Sequence, residues 1–204
     1  KIKYKMKKFI TSDLHLYHKN MLLWENQPKR VIFNSQRGSD FIDKNILYED
    51  CLKMNEQIVS NWNSVVSKDD EIYILGDIGF ASHRKIRSVL ERLNGVKHLI
   101  KGNHDKHKII KKLTDLFETI QDYKEINYDY KGKNYQICMM HYPILNWNRK
   151  HYGSLMLHGH EHKSTQDSSI RRMDVGIDSD FSDFHPILLD DIIEYMIDIP
   201  FKNK

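Results

Sequence analysis

Residues 8–15 (KFITSDLH) carry the pattern that decides the fold, a short strand-like run that ends at Asp13 and His15. Short β-compatible runs bounded by turn residues are typical of buried strands. The pattern returns at residues 71–77 (EIYILGD) and again at residues 96–105 (VKHLIKGNHD). Each predicted strand therefore delivers polar side chains to its own carboxyl end.

Helical patterns separate these three runs. Leu52, Ile58 and Trp62 recur at roughly helical spacing before the second run. Before the third run, Ser82 can cap a helix whose apolar residues follow the i, i+3, i+4, i+7 pattern until Asn-Gly at residues 94–95 ends it. The first half therefore reads strand, helix, strand, helix, strand, which predicts a parallel sheet with covering helices.

The second half changes character. Residues 123–130 and 134–140 flank the turn sequence Lys-Gly-Lys at residues 131–133, as in a β-hairpin. Antiparallel strands are therefore expected to begin here and to form a second sheet. Further strands near residues 155–157 and 172–177, and a final helix over residues 188–197, complete the predicted elements.

Composition places the chain among soluble globular proteins. Its 204 residues fit one domain, predicted over residues 1–204, with 40% hydrophobic and 29% charged residues. A net charge of +4 is too small to indicate nucleic-acid binding by itself. No window reaches the roughly 18 to 20 uninterrupted apolar residues of a membrane span, so a cytoplasmic location without a membrane partner is predicted. Cys51 and Cys138 are expected to be reduced and structural.

Histidine is unusually frequent, with 12 residues, and it clusters beside carboxylate and amide side chains. These three groups hold divalent metals in proteins. A lone Asp-x-His or Gly-Asp is more often a turn or a structural histidine than a ligand. Residues 102–105 (GNHD) and 159–162 (GHEH) are harder to dismiss, because side chains two apart after a strand point to one face.

Five blocks, taken in order, resemble the calcineurin-like metallophosphoesterase superfamily, and its small, uncapped bacterial and phage members look closest. The blocks are Asp-x-His at 13–15, Gly-Asp at 76–77, Gly-Asn-His-Asp at 102–105, a single His at 141, and Gly-His-x-His at 159–162. They cover about three quarters of the chain. The resemblance implies an α/β fold, a four-layer α/β/β/α sandwich with two mixed β-sheets flanked by helices.

The resemblance also implies two divalent metal ions, with manganese favoured and iron, nickel or zinc as alternatives. One ion is assigned to Asp13, His15 and His162, the other to Asn103, His141 and His160, with Asp77 as the bridge. The ions would attract phosphate and acidify a shared water. A metal-bridging hydroxide would then attack phosphorus in line.

His104 is assigned as the catalytic residue on the leaving-group side. An imidazole with an ordinary pKa of about 6.5 can donate a proton to a departing alkoxide or stabilise phosphoryl charge. Asn103 is expected to contact substrate as well as metal. Arg30, in a stretch over residues 27–43 predicted to be an irregular loop, is a weaker substrate-binding candidate, with solvent exposure without function as the alternative. His18 is another weaker candidate, with a surface or structural position as the alternative.

Further residues bear on the substrate. Serine/threonine protein phosphatases of this superfamily extend the Gly-Asp block with an Asp and an Arg, whereas residues 78–81 here are Ile-Gly-Phe-Ala, which disfavours a protein phosphatase. Trp24, Trp62 and Trp147 are large enough to stack on a nucleobase, but core packing or loop anchoring is favoured. Asp178 is interpreted as a loop residue or a partner of the ligands.

The predicted function is hydrolysis of a small phosphodiester or phosphomonoester, nucleotide-like, in a shallow site. A nuclease acting on DNA or RNA is the leading alternative, although 204 residues leave little room for additional DNA-facing elements. A non-catalytic protein-interaction scaffold is the second alternative. The chain contains His104 as well as every proposed ligand, which disfavours a scaffold. The sequence leaves the oligomeric state open.

Overall fold

The computed structural model describes residues 6–162 and 169–201. The described residues form nine β-strands and five α-helices. The strands are β1 (Lys8–Thr11), β2 (Glu71–Ile74), β3 (Val96–Ile100), β4 (Thr119–Gln121), β5 (Tyr123–Tyr130), β6 (Lys133–Met140), β7 (Leu155–His158), β8 (Arg172–Asp174) and β9 (Ile187–Leu188). The helices are α1 (Pro28–Val31), α2 (Lys44–Val65), α3 (His83–Leu90), α4 (His107–Ile110) and α5 (Leu189–Ile197).

The first sheet has the strand order β4-β3-β2-β1-β9. Its first four strands are parallel, and β9 runs antiparallel to β1. Because α2 and α3 connect successive strands, the predicted order of strand, helix, strand, helix, strand is confirmed. Ser82 caps α3 as expected, since its hydroxyl accepts from the Lys85 N–H at 3.5 Å.

The second sheet has the order β5-β6-β7-β8. The hairpin prediction is confirmed, because β5 and β6 pair antiparallel with Tyr130 opposite Lys133. The two further strands extend this sheet as expected, and both are parallel to their neighbours, β7 to β6 and β8 to β7. A parallel partner needs a crossover instead of a tight turn, and a crossover leaves no short turn sequence to recognise. The two mixed sheets with flanking helices confirm the predicted fold class.

Side chains alternate between two hydrophobic cores along the first sheet. Along β2 and the residue that follows it, Ile72 and Ile74 pack with the residues of α2 and α3, whereas Tyr73 and Leu75 face the core between the sheets. The second sheet and α5 supply the remainder of that inner core. This alternation is the period of two that a strand imposes. The two hydrophobic cores therefore stabilise the sheets below the carboxyl ends of their strands.

Of two smaller predictions, one is confirmed and the other is corrected. Cys51 and Cys138 are buried free thiols, as expected. Residues 27–43 are not wholly irregular, because Pro28 begins the short helix α1. Proline suits this position because its fixed φ matches the first turn of a helix. Across residues 6–162 and 169–201, no helix is both long enough and apolar enough to cross a membrane.

Candidate metal centre

The carboxyl ends of parallel strands from both sheets meet at one edge of the molecule. Proposed ligands follow β1, β2, β3, β6 and β7 directly. A parallel bridge between Ser12 and Gly176 joins the end of β1 to the chain after β8, so the two sheets touch here. The Ile177 N–H donates to the Ser12 carbonyl at 3.0 Å. The predicted ligands therefore converge because strand direction brings them to one edge.

The backbone at this edge adopts an unusual conformation. Five of the seven proposed ligands have a positive φ, namely Asp13 at 56°, His15 at 47°, Asp77 at 56°, His160 at 73° and His162 at 51°. Such residues cost roughly 1 to 3 kcal/mol each and persist where the surroundings enforce them. Backbone strain is thus concentrated at the residues that are proposed as ligands.

Close backbone approach explains the glycine before Asp77. Gly76 has a φ of 96°, and a Cβ there would lie 2.6 Å from the Cα of Gly102. The chains after β2 and β3 therefore pass each other at a separation that only glycine permits. The Gly-Asp and Gly-Asn-His-Asp blocks meet at this point.

The first ligand group surrounds the carboxylate of Asp13. Nε2 of His15 and Nε2 of His162 lie 3.1 Å apart, and each lies 3.7 Å from Asp13 Oδ1. His162 Nδ1 contacts Asp178 Oδ2 at 2.9 Å. If Nδ1 carries the proton that this contact requires, Nε2 is left with a lone pair that points into the group. The three side chains are close enough together to hold one metal ion.

The second ligand group surrounds the amide oxygen of Asn103. His141 Nδ1 donates to the Leu75 carbonyl at 2.7 Å, which leaves a lone pair on Nε2. That Nε2 lies 2.8 Å from Asn103 Oδ1, and His160 Nδ1 lies 3.0 Å from the same oxygen. A lone pair on His141 facing a carbonyl oxygen is repulsive unless a cation lies between them. The donor set therefore suits a metal ion.

Asp77 lies between the two groups. Its Oδ2 is 3.7 Å from His15 Nε2 in the first group and 3.6 Å from His141 Nε2 in the second. Asp13 Oδ1 is fully buried and has no hydrogen-bond partner among the described residues. A buried carboxylate oxygen without a partner is costly, and a metal ion would satisfy it. Carboxylate, imidazole and amide donors fit two divalent ions.

Electrostatics favour an anionic Asp13. Burial by itself would raise the pKa of Asp13, but its contact with His15 and the charges of His162 and His141 hold that pKa well below its usual range. Burial opposes protonation of His162 as well, yet the Asp178 carboxylate raises the pKa of His162 above its usual value. In the absence of metal, the Asp178 carboxylate therefore favours the protonated form of His162.

Asp105 fastens the two loops that carry Asp77 and Asn103. Its carboxylate accepts from the N–H groups of Asp77 at 2.9 Å, Ile78 at 3.0 Å and Gly102 at 2.8 Å. Burial raises the pKa of Asp105 to about 6 in spite of these bonds. The last residue of the Gly-Asn-His-Asp block thus bonds to backbone and fixes the spacing of two ligands.

Comparison with known proteins shows the family of the chain. The model of the calcineurin-like phosphoesterase family matches residues 6–194. The chain belongs to this family. Membership confirms the resemblance drawn from the five blocks and indicates metal-dependent hydrolysis of phosphate esters.

Similar proteins span almost the same length as this phosphoesterase. The "Uncharacterized protein MJ1445" of Methanocaldococcus jannaschii is 26% identical over 192 residues, covering 91% of this chain and 89% of that protein. The "Gene 66 protein" of Mycobacterium phage L5 is 26% identical over 198 residues, covering 84% and 86%. The crystal structure of the protein of unknown function AQ665 from Aquifex aeolicus matches with a TM-score of 0.61 at 25% identity, covering 94% of this chain and 100% of that one.

The structure of this calcineurin-like phosphoesterase corrects one predicted substrate contact. Arg30 lies in α1 and is fully buried, and its Nε donates to Asp178 Oδ2 at 2.7 Å. The same guanidinium donates to the carbonyl oxygens of Asp13 at 2.5 Å and Leu14 at 3.4 Å. Arg30 therefore lies behind the ligands instead of facing a phosphate in front of them. Its position depends on residues far away in sequence, and residues 27–43 alone do not show it.

Asp178 links Arg30 to the first ligand group of the phosphoesterase. It accepts from Arg30 and contacts His162, as the partner role proposed for it requires. Burial would raise the pKa of Asp178, but the Arg30 charge and the bond to His162 lower that pKa to about 2. A carboxylate that orients a metal-binding histidine also fixes its tautomer.

His18 lies beside the site, and its role in substrate binding stays a prediction. Its Nδ1 is 3.2 Å from Nδ1 of His15. The ring of Phe80 stacks on His18 with centroids 3.8 Å apart and an interplanar angle of 19°. Phe80 belongs to the Ile-Gly-Phe-Ala segment of the phosphoesterase. The sequence of this segment indicated only that the Asp and Arg of the protein phosphatases are absent. The aromatic contact is visible only in three dimensions.

Proposed function

We propose that this chain is a two-metal phosphoesterase that hydrolyses a small phosphodiester or phosphomonoester, with a nucleotide-like ester as the favoured substrate. The position of Asp77 carries the proposal, because its Oδ2 faces His15 at 3.7 Å and His141 at 3.6 Å. One carboxylate shared by two groups of donors is the arrangement that a pair of divalent ions requires. Membership in the calcineurin-like phosphoesterase family supports the reaction class.

Manganese is the proposed metal, with iron, nickel and zinc as alternatives. Asp13, His15 and His162 would hold one ion, Asn103, His141 and His160 the other, and Asp77 both. When bound, the ions would supply positive charge that attracts phosphate and would lower the pKa of water for attack on phosphorus.

His104 is the proposed proton donor to the leaving group. Its backbone N–H donates to Asp77 Oδ1 at 2.9 Å, and its Nε2 lies 3.9 Å from Asp77 Oδ2. The side chain is 43% exposed, so the imidazole is anchored to the centre and still accessible from solvent. A protonated ring there can transfer its proton to the departing alkoxide oxygen.

The segment after Asp77 supports a small ester in preference to a phosphoprotein. Ile78 is buried, and Gly79 bridges the backbone of Leu16, so this segment places Phe80 next to the site. The Asp and Arg that extend the Gly-Asp block in the family's protein phosphatases are absent from residues 78–81, and the segment carries the apolar ring of Phe80. Arg30, a weaker substrate-binding candidate from the sequence, is bonded to Asp178 instead.

The test is a metal-reconstituted assay. Protein stripped with a chelator and reloaded with Mn²⁺ should hydrolyse bis-p-nitrophenyl phosphate or p-nitrophenyl phosphate faster than single-stranded DNA. His104→Asn should retain two metals per chain by elemental analysis and lose about 10² to 10⁴ in turnover. His107→Asn is the matched control, because His107 is an exposed histidine in α4.

Each alternative predicts a different result. Preferential cleavage of DNA or RNA would favour a nuclease. Binding of two metals without hydrolysis of any ester in a broad panel would favour a protein-interaction scaffold. Undiminished turnover in His104→Asn would overturn the role given to that residue.

A further inference from the structure

Two large aromatic side chains stand exposed at the border of the metal centre. Trp24 is 42% exposed and Phe80 is 36% exposed, whereas Trp62 and Trp147 are buried. Of the two favoured interpretations, core packing or loop anchoring, core packing therefore fits Trp62 and Trp147 and does not fit Trp24. Exposed aromatic rings beside a charged site are typical of surfaces that bind planar ligands.

Phe80 is surrounded by histidines of the centre. Its ring lies 3.8 Å from His18, 4.5 Å from His104 and 5.4 Å from His15, measured between centroids. The contact with His104 places Phe80 next to the proposed proton donor. A leaving group that accepts a proton from His104 would therefore depart alongside Phe80.

Trp24 stands on the other side of His18. It meets His18 edge to face at 6.4 Å and His162 at 6.0 Å between centroids. We call Trp24, His18 and Phe80 the aromatic rim. The rim runs along the first ligand group, from His162 to His104.

Hydrogen bonds fix the main chain at the two exposed rings of the rim. The Phe80 N–H donates to the Leu16 carbonyl at 2.8 Å. Near Trp24, the Gln27 N–H donates to the Trp24 carbonyl at 2.8 Å, and Gln27 Nε2 donates to the His162 carbonyl at 2.7 Å. A rigid platform loses little conformational entropy when it binds a flat ligand.

We propose that the aromatic rim is a subsite that stacks the nucleobase of the leaving nucleoside in a phosphodiester substrate. This inference rests on the proposed function and assigns its substrate class to particular residues. The centre binds the phosphate, His104 protonates the departing oxygen, and Phe80 and Trp24 hold the base attached to that leaving group. Stacking accepts any base, since every base has a π-face.

The first test compares two substrates that differ only in the base. A thymidine dinucleotide and its analogue with an abasic leaving sugar are hydrolysed by wild type, Phe80→Leu and Trp24→Leu in the presence of Mn²⁺. Each variant should raise KM about tenfold for the dinucleotide and leave the abasic analogue unchanged. Phe80→Tyr and Trp24→Phe should restore KM, because they keep an aromatic face.

Tyr152→Leu is the control for loss of an exposed aromatic ring. Tyr152 is 79% exposed and precedes β7, at the opposite end of that strand from His158 and the centre. Both substrates should be cleaved by this variant at wild-type rates. Equal losses on the two substrates in Phe80→Leu and Trp24→Leu would show that the rim acts through the histidines and would overturn the proposal.

The second test measures binding without turnover. Thymidine monophosphate should quench the fluorescence of Trp24 more than deoxyribose phosphate does, and Trp24→Phe should remove the difference. A base-dependent signal in protein that hydrolyses no ester would refute the proposed function and keep the subsite. Hydrolysis together with equal quenching by the two ligands would refute the subsite and keep the proposed function.

Discussion

The two ligand groups of the centre are built differently. The first group is buried, with Asp13 and His15 almost inaccessible and His162 backed by an ion pair between Asp178 and Arg30 that is itself fully buried. In the second group, His141 is backed by a backbone carbonyl, while Asn103 and His160 are exposed. A histidine of the first group is therefore oriented by a charged side chain, which can be mutated. A histidine of the second group is oriented by a main-chain carbonyl.

This difference has an energetic consequence. Charges in a buried pair interact strongly but leave a large desolvation cost if one partner is removed. Exposed ligands are surrounded by water, so their removal leaves no uncompensated buried charge. We therefore expect the first group to couple metal affinity to folding stability, and the exposed ligands of the second group, Asn103 and His160, to affect metal affinity alone.

Asp77→Asn is expected to have the largest effect on the two ligand groups, because Asp77 faces both of them. Removing the shared negative charge should reduce turnover by about 10³ or more, and both metals should bind more weakly. Titration calorimetry with Mn²⁺ would show whether both binding steps weaken. Weakening of one step alone would show that Asp77 belongs to a single group.

Asp178→Asn should affect the first group selectively. Loss of the partner of a metal-binding histidine typically lowers metal affinity by about 10- to 100-fold. Leaving Arg30 buried without a carboxylate should also destabilise the protein by about 3 to 5 kcal/mol. Metal titration and urea unfolding of the same preparations would measure both, and Asp183→Asn, which removes an exposed partner of Lys29, is the matched control. An unchanged free energy of unfolding would contradict the stability part of the comparison.

His160→Ala should affect the second group without a large stability change. The side chain is exposed, so its removal is expected to change the free energy of unfolding by less than about 1 kcal/mol while one Mn²⁺ binds about tenfold more weakly. A loss of stability as large as that of Asp178→Asn would show that the two groups are built alike.

The smallest expected effect is on pH dependence in metal-free protein. The folded pKa of His162 is raised, so its bond to Asp178 stabilises the protein fully below the unfolded pKa of about 6.5 and loses that stability as pH rises through the higher folded value. Thermal unfolding with a chelator between about pH 5.5 and 8.5 should show this decline. In Asp178→Asn the decline over the same range should be smaller, and an identical slope would dissociate His162 from the effect.

Much of the first half of the fold is readable from the sequence. The start of the third run forms β3, and Ser82 caps α3, because capping and period-two burial are local. The proposed ligands were recognisable for a related reason. Each block follows an apolar run, and the carboxyl ends of parallel strands share an edge. The single domain over residues 1–204 and the cytoplasmic location stay predictions.

By itself, the sequence determined the two sheets, the edge at which the site forms and the residue types that converge there, since these depend on short patterns. Only the tertiary structure decided the direction of β7 and β8, the burial of Arg30 against Asp178 and the exposure of Trp24. Arg30 and Asp178 are 148 residues apart, and Trp24 and His162 meet from different halves of the chain. Such contacts depend on how the two sheets pack, and no local pattern records them.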